Sequence, residues 1–240
     1  MIRTVAIAAS ALALTACHVG ADAQQRDPGS SVSRTYQIGA FDKIEVSGPY
    51  DVIVTTGGSP SASANGGDKL LDDTEVVVEG NVLKIRPKKT KGMSWGWSKS
   101  GSAKFAVSTA MLNGAAVAGS GGITVDKVNG DFDGAIGGSG DLNVRAIAGG
   151  AVALSVGGSG TITAAGTAQS TSIKIGGSGD IDASRLAAKT ASVAIGGSGS
   201  AKANASETAK VNIAGSGDAA ITGGAKCDIS KVGSGDVTCR

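Results

Sequence analysis

Aromatic side chains are scarce in this chain, with 2 Trp, 2 Tyr and 3 Phe among 240 residues. Any core must therefore be thin and filled with small aliphatic groups. Histidine occurs once, as His18, which excludes a Ser/His/Asp catalytic set in the body of the chain and gives a metal site no imidazole there. Proline is limited to 4 residues and glycine does not recur at every third position, so a collagen-like helix is excluded. No long apolar run is present. The most apolar stretch, residues 5–14, is well short of the ~20 residues that cross a bilayer as a helix. A formal net charge of +2 lacks the strongly basic face of a nucleic-acid binder.

What the chain does have is glycine, 39 residues, alongside 41% hydrophobic residues, too many for a disordered polymer. The N-terminus has a positive start at Arg3, then the short apolar run, then Leu14-Thr15-Ala16-Cys17. Small residues before a cysteine at the end of such a run resemble a bacterial lipoprotein signal. That resemblance implies cleavage before Cys17 and lipid attachment there, with residues 1–16 as signal peptide. Several acyl chains anchor stably where one binds only marginally. In such lipoproteins a residue other than Asp after the cysteine, here His18, implies the outer membrane, on either its periplasmic or its exposed side. Residues 17–34 show no apolar periodicity and read as a flexible tether.

The glycines are not spread evenly. Gly-Ser-Gly begins at Gly119, Gly138, Gly158, Gly177, Gly197, Gly215 and Gly233, at spacings of 19, 20, 19, 20, 18 and 18 residues. So regular a repeat marks one corner of a recurring structural unit. Four residues before each corner stand Ala115, Gly134, Leu154, Ile173, Val193, Val211 and Ile229; two before stand Val117, Ile136, Val156, Ile175, Ile195, Ile213 and Lys231. Four after stand Ile123, Leu142, Ile162, Ile181, Ala201, Ala219 and Val237; six after stand Val125, Val144, Ala164, Ala183, Ala203, Ile221 and Cys239. Apolar positions alternate with polar ones on both sides, the period of a strand with one buried face. The spacing predicts an all-β, single-stranded parallel β-helix, or solenoid, over residues 113–240, with one coil per repeat and a pitch of about 4.8 Å. A weaker ladder nine after the corner, Val128, Ile147, Thr167 and Leu186, predicts a third side.

Residues 35–112 lack the repeat but contain strand-like alternations, with Val76–Val78 and Val82–Ile85 flanking the hairpin signal Glu79-Gly80-Asn81. They are expected to form an N-terminal β cap continuous with the solenoid, because an open solenoid end exposes strand edges. Cys227 and Cys239 lie six residues before and after the last corner, on inward columns that can face each other across the coil. In an oxidising envelope this predicts a disulfide; the alternative is a pair of buried free thiols.

The pattern Phe41-x-x-Ile44-x-Val46-x-Gly48-x-x-x-Val52-x-Val54, the Val82-Leu83-Lys84-Ile85 strand and the Gly-Ser-Gly-Asp-[Leu/Ile] coils resemble a family of bacterial envelope proteins, the putative auto-transporter adhesin, head GIN domain family. The resemblance covers roughly residues 38–237. It implies a β-helix-like fold and brings no catalytic residues with it.

Three features carry candidate chemistry. Asp141, Asp180, Asp218 and Asp236 follow their corners and superficially resemble a calcium β-roll, but they stand one residue early and repeat at about 19 residues, not nine. Solvated turn residues are the better reading, and no metal or other cofactor is expected. Residues 86–104 carry Arg86, Lys88, Lys89, Lys91, Lys99 and Lys104 with no acid, around Trp95 and Trp97. This is either a surface for lipid or glycan, or a loop whose tryptophans cover the solenoid's end. Arg145 and Arg185 are isolated, without the clustered carboxylates that a polysaccharide-cleaving β-helix needs. The expectation is a non-catalytic, lipid-anchored envelope protein presenting a solenoid surface for adhesion or scaffolding. The alternative is a glycan-binding or glycan-cleaving β-helix. Expected partners are the membrane through Cys17 and an envelope glycan, lipid or protein, not nucleic acid. Stacking of an exposed solenoid end could make dimers.

Overall fold

The computed structural model describes residues 29–88 and 101–240. Its strands belong to one continuous sheet wound as a parallel solenoid. Each Gly-Ser-Gly corner joins a strand before it to a strand after it. The early coils are β8 (Gly114–Gly119) with β9 (Gly122–Val125), and β11 (Phe132–Gly138) with β12 (Asp141–Ala148). The third side opens with β10 (Val128–Asn129). β13 (Ala151–Val156) leads into β14 (Thr161–Gly177), β15 (Asp180–Gly197) and β16 (Ser200–Gly215), which run on around the coil. The last layers are β17 (Asp218–Thr222), β18 (Lys226–Val232) and β19 (Val237–Cys239).

The expected ladders form in register. Ala115, Gly134, Leu154, Ile173, Val193, Val211 and Ile229 pair successively down one column, and Val117 through Lys231 down the next. Ile123, Leu142, Ile162, Ile181, Ala201, Ala219 and Val237 do so on the far side of the corner. The side chains of these columns are buried until the last coil.

The third side exists, with one correction. Val128 pairs with Ile147, Ile147 with Gly166, and Gly166 with Leu186, so Gly166 and not Thr167 occupies that ladder. Thr167 pairs with Ala148 and faces solvent. The cause is a register shift between Val144 and Ile147, which slides the third side by one residue. A one-residue slip exchanges the inner and outer faces of a strand. Further shifts between Ala183 and Ala187, and between Ala188 and Thr190, occur on this same side. The 18–20-residue variation in repeat length is thus absorbed away from the corners.

The N-terminal segment both extends the stack and closes it. β2 (Lys43–Ser47) and β3 (Tyr50–Thr56) form a coil around Gly48, and β6 (Val82–Pro87) with β7 (Ala103–Thr109) form another. β2 lies between β6 and β8, and β3 between β7 and β9, all parallel. The first coil in sequence is therefore the second in the stack. Beyond it the sheet changes direction: β4 (Ser61–Gly67) runs antiparallel to β7, β1 (Ser31–Tyr36) antiparallel to β4, and β5 (Thr74–Glu79) antiparallel to β6. The hairpin joining β5 to β6 turns through Gly80 (φ 55°) and Asn81 (φ 64°), as Glu79-Gly80-Asn81 predicts. β1 begins at Ser31, inside the stretch expected as tether. Its alternation was hidden because the inward positions Val32, Arg34 and Tyr36 include a cation, and Arg34 is held by Asp72 at 2.9 Å.

A short helix, α1 (Asp68–Asp72), covers the end of the core with Leu70 and Leu71, both buried. The aromatics gather beneath it. Phe105 packs against Tyr36 (centroids 6.2 Å) and edge-on to Tyr50 (5.6 Å). The Tyr50 hydroxyl pairs with Thr74 Oγ1 at 3.0 Å, and Thr74 donates to Leu70 O at 2.7 Å. Burial pushes the Tyr50 phenol above its ordinary pKa, against the opposing effect of the Thr74 hydrogen bond.

Candidate interaction surface

The corners build the first surface feature. Ser139, Ser159, Ser178, Ser198 and Ser216 each donate their amide N–H to the glycine carbonyl of the preceding coil at 2.9 Å, and Ser234 does so at 3.1 Å. Their side chains, with that of Ser120, point outward as a ridge of hydroxyls along the solenoid. The glycines beside them permit this close stacking. A Cβ on Gly179 would meet both Gly160 O and Val156 Cγ1 at 2.5 Å.

Beside the ridge runs a trough. The outward position immediately before each corner is Ala118, Gly137, Gly157, Gly176, Gly196, Ala214 and finally Val232. Along its C-terminal half the trough has a volume of about 570 Å³, with Lys174, Ala194, Asn212 and Ser230 on one wall and Val232 at its end. The outward face beyond carries Ser170, Ser172, Thr190, Ser192, Thr208 and Lys210, giving a flat field of small and hydroxyl side chains. Sequence reasoning passed over this trough. The signal was present in the unbroken run of small residues at one column, which inward-facing columns overshadowed.

Several carboxylates beyond the corner and at the coil turns serve the stack itself. Asp180 Oδ1 accepts the Ser200 amide at 3.0 Å, Asp218 Oδ1 the Asp236 amide at 2.8 Å, and Asp131 Oδ1 the Ala151 amide at 2.8 Å. Asp126 Oδ1 accepts the Thr56 amide at 3.0 Å. Burial raises the Asp182 pKa, but hydrogen bonds from the Ser184 hydroxyl and amide, with Lys202 and Arg185 nearby, outweigh it and hold the carboxyl below its usual range. Among the described residues no three His, Cys, Asp or Glu side chains converge to hold a metal ion.

Of the residues singled out in the basic segment, Lys89, Lys91, Trp95, Trp97 and Lys99 lie outside the described residues. Its start differs from the expectation of uncompensated charge. Arg86 is held by Glu75 (Nε to Oε2, 2.7 Å) and Glu79 (Nη2 to Oε1, 2.7 Å), acids on the neighbouring strand that linear spacing did not associate with it. Lys84 and Arg86 together draw the Glu79 pKa down to about 2. Lys88 Nζ donates to Asp72 O at 2.6 Å. The described strand ends on either side of it, Pro87 of β6 and Ala103 of β7, stand where the adjoining coil has its Gly48 turn.

Cys227 and Cys239 are joined in a disulfide, with Cα atoms 6.6 Å apart. Both occupy inward columns, as their spacing predicts, but among the described residues no further coil covers them, so Cys227 is half-buried and Cys239 exposed. Cys17 lies outside the described residues. Among the described residues no helix is long and apolar enough to cross a membrane.

These features define a protein that displays side chains in fixed rows on a parallel β-solenoid. The chain belongs to the putative auto-transporter adhesin, head GIN domain family, whose model matches residues 40–225. Among solved structures it is similar to a putative adhesin from Bacteroides fragilis NCTC 9343, at 22% identity and a TM-score of 0.79, covering 88% of this chain and 97% of that one. It is also similar to a putative lipid binding protein from Parabacteroides distasonis ATCC 8503, at 24% identity and a TM-score of 0.69, with coverage of 88% and 97%. A putative adhesin from Parabacteroides merdae ATCC 43184 gives 22% identity, a TM-score of 0.66 and coverage of 88% and 96%. At these identities the likeness concerns the fold. Comparison with curated proteins gives no match.

Proposed function

We propose that this is a non-catalytic protein of the cell envelope, held to the outer membrane through lipid on Cys17, whose solenoid face serves adhesion or scaffolding. The observation that carries this reading is the trough and flat field beside the serine ridge: a rigid, shallow groove of small, mostly apolar residues bordered by hydroxyls and suited to an extended partner. A small substrate would call for an enclosed pocket. The family assignment supports an adhesive role and a place in the envelope. The engagement of Asp126, Asp131, Asp180 and Asp218 with backbone amides supports the absence of catalysis, since these carboxylates serve coil stacking.

A second reading, glycan or lipid binding by the basic tryptophan segment, is favoured by the strands that flank it, β6 and β7, which form the outermost coil. One experiment separates the two. Binding of the purified protein to isolated envelopes is compared for Ala194→Trp, which fills the trough, and for Trp95→Ala/Trp97→Ala. The trough reading expects at least about a tenfold loss with Ala194→Trp, equivalent to roughly 1.4 kcal/mol, and little change with the tryptophan pair. The reverse pattern transfers the function to the segment. In the same preparations Cys17→Ser should release the protein from the membrane fraction; retention would sink the lipid anchor.

A further inference from the structure

The last coil breaks a rule that the earlier ones obey. Its inward positions are Cys227, Ile229, Lys231, Val237 and Cys239, stacked on Ala209, Val211, Ile213, Ala219 and Ile221. Lys231 thus ends a column that holds only valine and isoleucine from Val117 to Ile213. Its Nζ donates to Gly235 O at 2.6 Å, across the corner of its own coil. The disulfide ties the start of β18 to the end of β19, so it spans the mouth of the coil. Ile229 remains 45% exposed at the centre.

An unpaired solenoid end is a template for any strand of matching pitch and pattern. A second copy of this chain has both by construction. The other end is closed by α1 and by the antiparallel strands β1, β4 and β5. Among the described residues only the β18 and β19 end presents parallel coil edges, and two copies meeting there would be related by a twofold axis, giving a closed dimer and not a fibre. In such a meeting Lys231 would enter a continuous apolar core with no opposite charge in its column, which is strongly unfavourable. The disulfide keeps β19 seated over Ala219, Ala220 and Ile221, the edge that a second copy could otherwise use. This coil lies beyond residues 40–225 that match the family model.

We propose that the terminal coil is a stop, in which Lys231 and the Cys227–Cys239 disulfide deny the C-terminal end of the solenoid to a second copy of the chain. The test is sedimentation velocity of the full chain carrying Cys17→Ser, so that no acyl group contributes to association, with and without Lys231→Ile, Lys231→Gln and Cys227→Ser/Cys239→Ser. Hydrogen exchange over β17 and β18 reports both folding and the place of contact. The parent and Lys231→Gln should remain monomeric. Lys231→Ile should dimerise at least tenfold more tightly than the parent, with added protection of β18 at high concentration, and the cysteine pair should shift the same way. The proposal is overturned by a parent that already dimerises through β18. It is equally overturned by a Lys231→Ile protein that keeps β17 protected yet stays monomeric, or that dimerises without protecting β18. A monomeric cysteine-pair variant with β17 protected would remove the disulfide from the stop.

Discussion

At the scale of single residues, glycines only a few positions apart do opposite work. Gly179 turns its hydrogen toward the coil above, where Gly160 O and Val156 Cγ1 leave no room for a Cβ. Gly176 faces the trough, and a Cβ there would meet nothing within 4 Å. Gly179→Ala should therefore destabilise the fold by about 3 kcal/mol, the upper range for forcing extra atoms into a packed site. Gly176→Ala should change stability by no more than about 0.5 kcal/mol, as exposed substitutions usually do. Urea unfolding of the two variants checks this; equal effects would mean that stacking does not select the corner glycines. The inward columns were legible at this scale because each repeats its chemistry at a fixed offset from a corner. The partners of Arg86 were not, since Glu75 and Glu79 become its neighbours only when β5 folds back on β6.

At the scale of elements, the same hairpin carries a pH dependence. The Lys84 and Arg86 hydrogen bonds lower the Glu79 pKa from 4.5 to about 2. A carboxyl depressed in the folded state stabilises it above the unfolded pKa, and that contribution is lost as pH falls through the folded value. With the intrinsic pH dependence of exchange divided out, amide protection in β5 and β6 should be constant above about pH 5 and fall between pH 4.5 and 2. The Glu79→Gln variant should show the lower protection throughout; a pH response unaltered by this substitution would assign the effect to other groups. Two elements escaped sequence reasoning for different reasons. α1 has five residues, too few for a helical period to be visible, and only its adjacent Leu70 and Leu71 hint at burial. The third-side ladder was misplaced at Thr167 because a bulge shifts register without leaving a mark in the composition.

At the scale of the whole molecule, seven corner layers and the two that precede them make a rod roughly 40 Å long at about 4.8 Å per layer. The repeat made its period and most of its length readable. It could not show that β2 and β3 lie between β6–β7 and β8–β9, because that placement joins residues far apart in sequence, such as Lys43 with Gly114. Later layers join residues only 17–20 apart. Closing a long loop before any contact rewards it slows folding. Val46→Ala, at the long-range junction, should therefore slow refolding by roughly tenfold, whereas Val193→Ala should chiefly speed unfolding. Stopped-flow measurements on both arms decide it, and equal folding rates for the two variants would count against a nucleus at β2 and β3.

The sandwiched position of β2 and β3 has a bearing on how the chain is assembled as it is made from its N-terminus. The first coil to emerge has strand edges on both sides, and neither neighbour yet exists. One side is filled by β6 and β7, which return to it; the other receives β8 and β9 and then every later turn. The earliest part of the chain is thus a keystone set before its arch, and growth proceeds from it in two directions. A chain stalled before β8 would display the apolar edge that β8 and β9 cover in the finished rod. Arrival of residues 114–125 is then the step at which a delay in synthesis should be felt first.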